Sequence, residues 1–183
     1  MPPTSTRSLA IAALFAALIA GGAFVTIPLG PVPFTMQVLF VLLAGMVLGP
    51  RLGALAVAAY LCLGLVAPVY SGGSSGLGVL FGPTGGYLWG FLLAALVTGA
   101  IAHTGRPALW RFIVAGLAGL VPIYALGASW LAWQLHTTSY AIVVWGGILQ
   151  FVWLDAVKAV LAAFAARALV SLPVSLPALQ RHQ

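Results

Sequence analysis

The sequence predicts an all-α membrane protein, a polytopic bundle of six transmembrane helices, and three observations carry that expectation. Of 183 residues, 63% are hydrophobic and 4% are charged, with a mean hydropathy of +1.17. The apolar residues fall into six stretches divided by proline- and glycine-rich turns, and the basic residues fall in every second connection. A soluble domain is typically about 25% charged, so this composition cannot cover a water-facing surface. A soluble enzyme, a nucleic-acid-binding module and a disordered chain are excluded together. The length accommodates five or six spans of roughly 20 residues. Residues 1–183 are therefore expected to form a single transmembrane domain.

The first stretch, Leu9–Ile27, follows Arg7 and shows no A-x-A-like cleavage pattern before Pro28, so it is expected as a retained span. Alanines recur in it at spacing four (Ala12–Ala16, Ala13–Ala17, Ala16–Ala20), beside Gly21-Gly22. Small-residue faces let helices approach closely in lipid, either within the bundle or against another membrane subunit. Prolines between Pro28 and Pro33 then fix a rigid turn that presents Thr35 and Gln37 at the start of the second stretch. That stretch, Phe34–Leu48, and the third, Leu52–Ala67, are short for full crossings and meet at Gly49-Pro50. The single cysteine, Cys62, allows no disulfide framework and is expected as a small buried apolar residue.

A glycine-rich connection runs from Pro68 to Pro83, with eight glycines between Gly72 and Gly90. Such backbone can approach a ligand closely or move as a lid, although turns and helix packing use the same residue. It contains no G-x-x-x-x-G-K-[ST], so no nucleotide site is expected in this chain. The fourth and fifth stretches are Gly85–Ala102 and Phe112–Leu131. The last, Tyr140–Leu169, would be about 45 Å long as one helix, too long for an untilted crossing. Gly146-Gly147 marks a break, with an outer segment up to about Gln150 and a crossing that begins near Trp153. No internal repeat is present, so the inverted-repeat transporter architectures find no support.

Charge tests this layout. Arg7, Arg51, Arg106, Arg111, Arg167 and Arg181 all fall on one side, while connections 28–33, 68–84 and 132–139 hold no Lys or Arg. The positive-inside rule makes the arginine side, with both termini, cytoplasmic.

Lys158 stands apart from that set. With Asp155, the sole acid, it lies in WLDAVKAVLAAF, three residues along one helical face. Counted up from Arg167, Lys158 is about 13 Å and Asp155 about 18 Å into a hydrocarbon core of ~30 Å. Each such charge costs roughly 2.5–3.5 kcal/mol on insertion scales. A mutual ion pair that merely neutralises two charges is one reading, but two leucines would pack at less cost. The other is that the pair faces a cavity and binds a polar or anionic solute. A carboxylate accepts N–H bonds from a urea- or amide-like group, and an ammonium holds a carboxylate or polarises a carbonyl.

The runs GPVPFTMQVLFVLLAGMVLGPRLGALAVAAYLCLGL, GGSSGLGVLFGPTGGYLWGF and DAVKAVLAA resemble the BioY family, the biotin-specific S components of energy-coupling factor (ECF) transporters. The resemblance spans about Ser8 to Ala168 and rests on several motifs in order. It implies a six-helix membrane protein, not an enzyme, in the bacterial plasma membrane, with a biotin site near the extracellular side under the outer loops. It further implies a transmembrane coupling subunit and ATP-hydrolysing subunits as partners. ATP would be used there, leaving biotin as this chain's ligand and no cofactor of its own. The family's D-x-x-K falls on Asp155 and Lys158, and its proline-rich first loop on Pro31, Pro33, Thr35 and Gln37. Asp155 suits the ureido N–H groups of biotin, Lys158 its carbonyl or carboxylate, and Tyr60, Tyr87, Trp89 or Trp153 its apolar rings. The alanine set Ala12, Ala13, Ala16, Ala17 and Ala20 corresponds to the first-helix face that contacts the coupling subunit in other S components.

Relatives carry a proline-containing stretch before the Asp, and some carry an Asn in the glycine-rich loop and an Arg near the position of Tyr87. This chain has Gln150 to Leu154, then Ser74-Ser75 and Tyr87 at those places, which leaves Lys158 as the charged candidate for the carboxylate. The same architecture serving a different vitamin is the nearest alternative. An intramembrane hydrolase built on Ser129 lacks a G-x-S-x-G context, and His103 and His136 fall on opposite sides as interfacial residues.

Overall fold

A computed structural model describes residues 5–30, 32–136 and 141–171. Pro31, Arg181 and the start of the last stretch at Tyr140 lie outside the described residues. Helix α1 (Thr6–Phe24) begins on a Ser5 cap, whose hydroxyl accepts the Ser8 N–H. A short antiparallel hairpin follows, β1 (Thr26–Pro28) against β2 (Pro33–Thr35), with Thr26 opposite Thr35 and Ile27 opposite Phe34. The proline-fixed turn of the sequence reading is thus the tip of a β-ribbon. Its strands are too short and too rich in proline to register as strands from pattern alone.

Helix α2 (Gln37–Val66) is interrupted at Gly49, whose φ of +78° is a backbone state that favours glycine. Pro50 then sits at the first position of the following limb, where its missing N–H has no helical partner to lose. The two limbs, 37–48 and 50–66, fold back on each other. A Cβ placed on Gly53 would come 3.0 Å from the Gly45 Cα, although a straight helix would separate these residues by about 12 Å. The second and third predicted stretches are therefore the arms of one helical hairpin.

A 3₁₀ turn (Ser71–Gly73) and the single-turn helix α3 (Leu77–Leu80) occupy the glycine-rich connection. Helices α4 (Gly85–Ala102) and α5 (Leu109–Gln134) pack through small residues, with Gly90 against Ile123 and Gly119 against the Thr98 hydroxyl. Residues Ala141–Leu149 form a π-helical stretch, marked by the Gln150 N–H bonding to the Trp145 carbonyl five residues back. Helix α6 (Val152–Ser171) follows. The two segments meet at Gln150-Phe151, the expected end of the outer segment, while Gly146-Gly147, the expected break, lies inside the π-helical stretch. Among the described residues, five helices are long and apolar enough to cross a membrane, one of them the doubled α2.

Cys62 is exposed on the outside of the bundle, a correction to its expected burial. Its neighbours Leu61 and Gly64 take the inward positions of that limb. The alanine set on α1 also divides: Ala12, Ala16 and Ala20 are buried in the bundle, whereas Ala13 and Ala17 are exposed.

Candidate functional site

Arg7, Arg51, Arg106, Arg111 and Arg167, with the tight connections at Gly49-Pro50 and 103–108, define one end of the bundle, and the longer connections define the other. Three helices carry a polar side chain to the same height above the arginine end. Gln37 lies twelve residues from Gly49, Asp155 twelve from Arg167 and Tyr124 thirteen from Arg111. At 1.5 Å per residue, all three stand about 18–20 Å up. They meet around a cavity lined by Phe34, Thr35, Gln37, Tyr70, Ser71, Thr84, Tyr87, Phe91, Tyr124, Phe151, Asp155 and Lys158, among others. Its empty volume is about 610 Å³, counted with its open mouth. Apolar walls with a few converging polar groups are the usual make-up of a small-molecule site.

Asp155 and Lys158 are 5% and 4% exposed, and both face this space. Lys158 Nζ donates to Asp155 Oδ1 at 2.6 Å and to the Thr35 carbonyl at 2.6 Å, and it lies 3.6 Å from the centre of the Phe34 ring. An ammonium has three N–H donors, so two hydrogen bonds and one aromatic face account for them. Tyr124 Oη donates to Asp155 Oδ2 at 2.6 Å. The ion pair expected as an alternative to a cavity-facing pair is thus present, and it lies in the cavity wall. Each carboxylate oxygen carries one internal donor and keeps a lone pair for another. That arrangement offers an acceptor, held by charge, to a ligand N–H.

Thr35 contributes twice. Its carbonyl takes Lys158, and its hydroxyl donates to Gln37 Oε1 at 3.1 Å. Gln37 Nε2 donates to Tyr60 Oη at 2.5 Å. Tyr60 is wholly buried behind Gln37 and does not line the cavity, so it supports the glutamine rather than walling a ligand. Tyr87 does line it, with its hydroxyl donating to the Gly147 carbonyl at 2.9 Å and its ring against Gly127. That bond ties α4 to the π-helical stretch.

Besides Tyr60, three expected site residues lie elsewhere. Trp153 is 62% exposed and points away from the cavity, because two residues along a helix from Asp155 amount to about 200° of rotation. Ser74 turns its hydroxyl back to the Ser71 carbonyl at 2.7 Å, closing the 71–74 turn, and Ser71 is the serine that reaches the cavity. Trp89 is partly buried and packs against Phe81 rather than into the cavity. Tyr124, Tyr70, Phe34, Ser71 and Phe91 are contributors the sequence reading did not single out. In α5, Tyr124 is the residue with a polar side-chain atom at the height of Asp155, a placement given by the packing of α5 against α6.

The cover consists of the β-ribbon and the glycine-rich connection. Tyr70 pins the latter, its hydroxyl donating to the Leu61 carbonyl at 2.6 Å and its ring against Gly64. Burial pushes the Tyr70 phenol above its ordinary pKa, which keeps that donor protonated. Trp130 Nε1 holds the Gly82 carbonyl at 2.9 Å. Between these anchors Gly72, Gly73 and Gly76 take positive φ with open space around them, and Ser71 touches Thr26 of the ribbon at 3.3 Å. Among the described residues, no three His, Cys, Asp or Glu side chains converge as a metal site requires.

This arrangement has close relatives. The family model for the BioY family matches residues 1–173. The biotin transporter BioY of Thermotoga maritima is 48% identical over 169 residues, which cover 92% of this chain and 98% of that one. The probable biotin transporter BioY of Pyrococcus horikoshii is 40% identical over 164 residues, 89% and 96% of the two chains. A solved structure, the S-component for biotin from an ECF-type ABC transporter, superimposes with a TM-score of 0.81 at 30% identity. It covers 91% of this chain, and 92% of its own length is matched. These likenesses, and the apolar helices, make this a multi-pass membrane protein rather than an enzyme, and by the extent of the match the chain belongs to the BioY family.

Proposed function

We propose that the chain is the biotin-binding S component of an ECF-type uptake system, with the cavity at the loop end as the biotin site. The single observation that carries the assignment is a buried Asp155–Lys158 pair in the wall of a largely apolar cavity, in a chain whose close relatives are biotin transporters. Biotin is a flat apolar bicycle bearing a ureido group, a thioether and an acid-ended chain. Asp155 accepts one ureido N–H, and Gln37 and Thr35 offer further polar contacts beside it. The Lys158 donors are held by Asp155, the Thr35 carbonyl and the Phe34 ring. Its part is to orient Asp155 and to bias the field at the ureido carbonyl. The biotin acid then leaves through the mouth beneath the glycine-rich lid.

The arginine end faces the cytoplasm by the positive-inside rule, which sets the cavity toward the exterior. Energy for transport comes from partner subunits: a membrane coupling subunit, and ATPases that use ATP. The exposed alanines Ala13 and Ala17, continued by Gly21 with open space beside it, form the face of α1 that docks the coupling subunit. Ala12, Ala16 and Ala20 hold α1 to α2 instead.

Titration calorimetry of the purified full chain tests the assignment. Biotin should bind one-to-one, and other vitamins at the same concentration should give no heat. A chain that ignores biotin and binds another vitamin overturns the assignment while leaving the architecture intact.

A further inference from the structure

Tyr124 occupies two boundaries at once. It lines the central cavity, and it also lines a second, apolar groove formed with Leu117, Val121, Ala125, Val152 and Ala156 between α5 and α6. Leu117 and Val121 are exposed on a membrane-crossing helix, so that groove opens toward lipid. The Tyr124 ring therefore stands between acyl chains and the Asp155 carboxylate, and its hydroxyl is bonded to Asp155 Oδ2. The groove behind the ring is largely apolar, with Ser129 the residue of its lining, besides Tyr124 itself, that carries a polar side-chain atom.

We propose that Tyr124 is a specificity-determining positioning residue, which fixes the Asp155 carboxylate so that it accepts an N–H donor and rejects ligands without one. The inference deepens the biotin reading and rests on it. A carboxylate held at one oxygen only can turn about its last torsion, which is broad for an sp³–sp² bond. With Lys158 on Oδ1 and Tyr124 on Oδ2, that rotation is stopped and the remaining lone pairs keep one direction. A ligand N–H meets one of them. An N-methyl group in the same place meets a carboxylate that cannot turn aside.

The experiment uses the full chain in lipid nanodiscs, with biotin and its two mono-N-methylated ureido derivatives as probes. Wild type should bind at least one methylated derivative about 100-fold more weakly than biotin, the loss of a hydrogen bond to a charged group. Tyr124→Phe keeps the ring, so its thermal midpoint serves as the control for folding. In it, biotin affinity should fall about tenfold, and discrimination against the methylated probe should shrink to about tenfold or less. Unchanged biotin affinity overturns the inference. Reduced affinity with undiminished discrimination overturns it too, since a merely structural tyrosine would weaken all three ligands alike. Wild type that binds biotin without distinguishing either methylated derivative removes the ureido–Asp155 contact, and the inference falls with it.

Discussion

The two ends of the bundle are built for different tasks. At the arginine end the connections are short and filled. The Gly49-Pro50 turn joins the limbs of α2, and the His103 ring packs on Gly49 with its Nε2 within 3.0 Å of the Met46 carbonyl. Small residues (Ala159, Ala162, Ala163, Ala166) seal α6 there with no exposure. At the loop end the helices splay around a cavity. Tyrosines aside, of the six buried polar or charged side chains among the described residues, Thr35, Gln37, Asp155 and Lys158 gather at that cavity. One end sets helix geometry, and the other uses it to hold charges in oil. Changes at the two ends should therefore separate stability from ligand affinity.

The largest effect should come from Asp155→Asn. It removes the charge that Lys158 and Tyr124 orient, and calorimetry should show biotin affinity reduced on the order of 100-fold or more. Affinity within threefold of wild type, in folded protein, would dissolve the distinction between the ends. Lys158→Met should follow, because it leaves Asp155 buried without its cation, a change that costs about 3–5 kcal/mol where a buried pair is broken. The loss should be equal for biotin and for biotin amide, since the lysine's donors serve Asp155 and Thr35. A smaller loss for the amide would place the ligand's acid on Lys158.

Gly49→Ala probes the opposite end. A Cβ at a φ of +78° is strained by about 1–3 kcal/mol, so the unfolding midpoint should drop while biotin affinity stays within twofold. Weakened binding at equal stability would show that the turn reports to the cavity. Trp153→Ala should do least. Its outward ring predicts biotin affinity within twofold of wild type, and a tenfold loss would mean the ring reaches the ligand after all.

What the sequence disclosed followed from local rules. Hydropathy located the helices and Gly49-Pro50 the hairpin turn, because each depends on a few adjacent residues; Gly146-Gly147 fell short of the break before α6, which lies at Gln150-Phe151. Asp155 and Lys158 were conspicuous because charge is costly in hydrocarbon wherever the chain goes. Tyr124 was hidden for the opposite reason. An aromatic residue in an apolar helix looks like core packing until α6, thirty-one residues on, brings Asp155 to its hydroxyl. Ser74 and Trp153 misled because neighbourhood in sequence was taken for neighbourhood in the cavity. A hydroxyl satisfied within its own turn and a 200° rotation decide against them. Pairing across the proline turn, which drops Phe34 onto Lys158, was likewise a matter of three residues in register rather than of pattern.

The most direct measurement is an experimental structure of the full chain with biotin bound. A ureido N–H within about 3.2 Å of an Asp155 oxygen, with the bicycle against Tyr87 and Phe91 and the acid turned toward the glycine-rich loop, is the predicted outcome. Biotin seated outside this cavity, or inverted with its acid against Lys158, would contradict it.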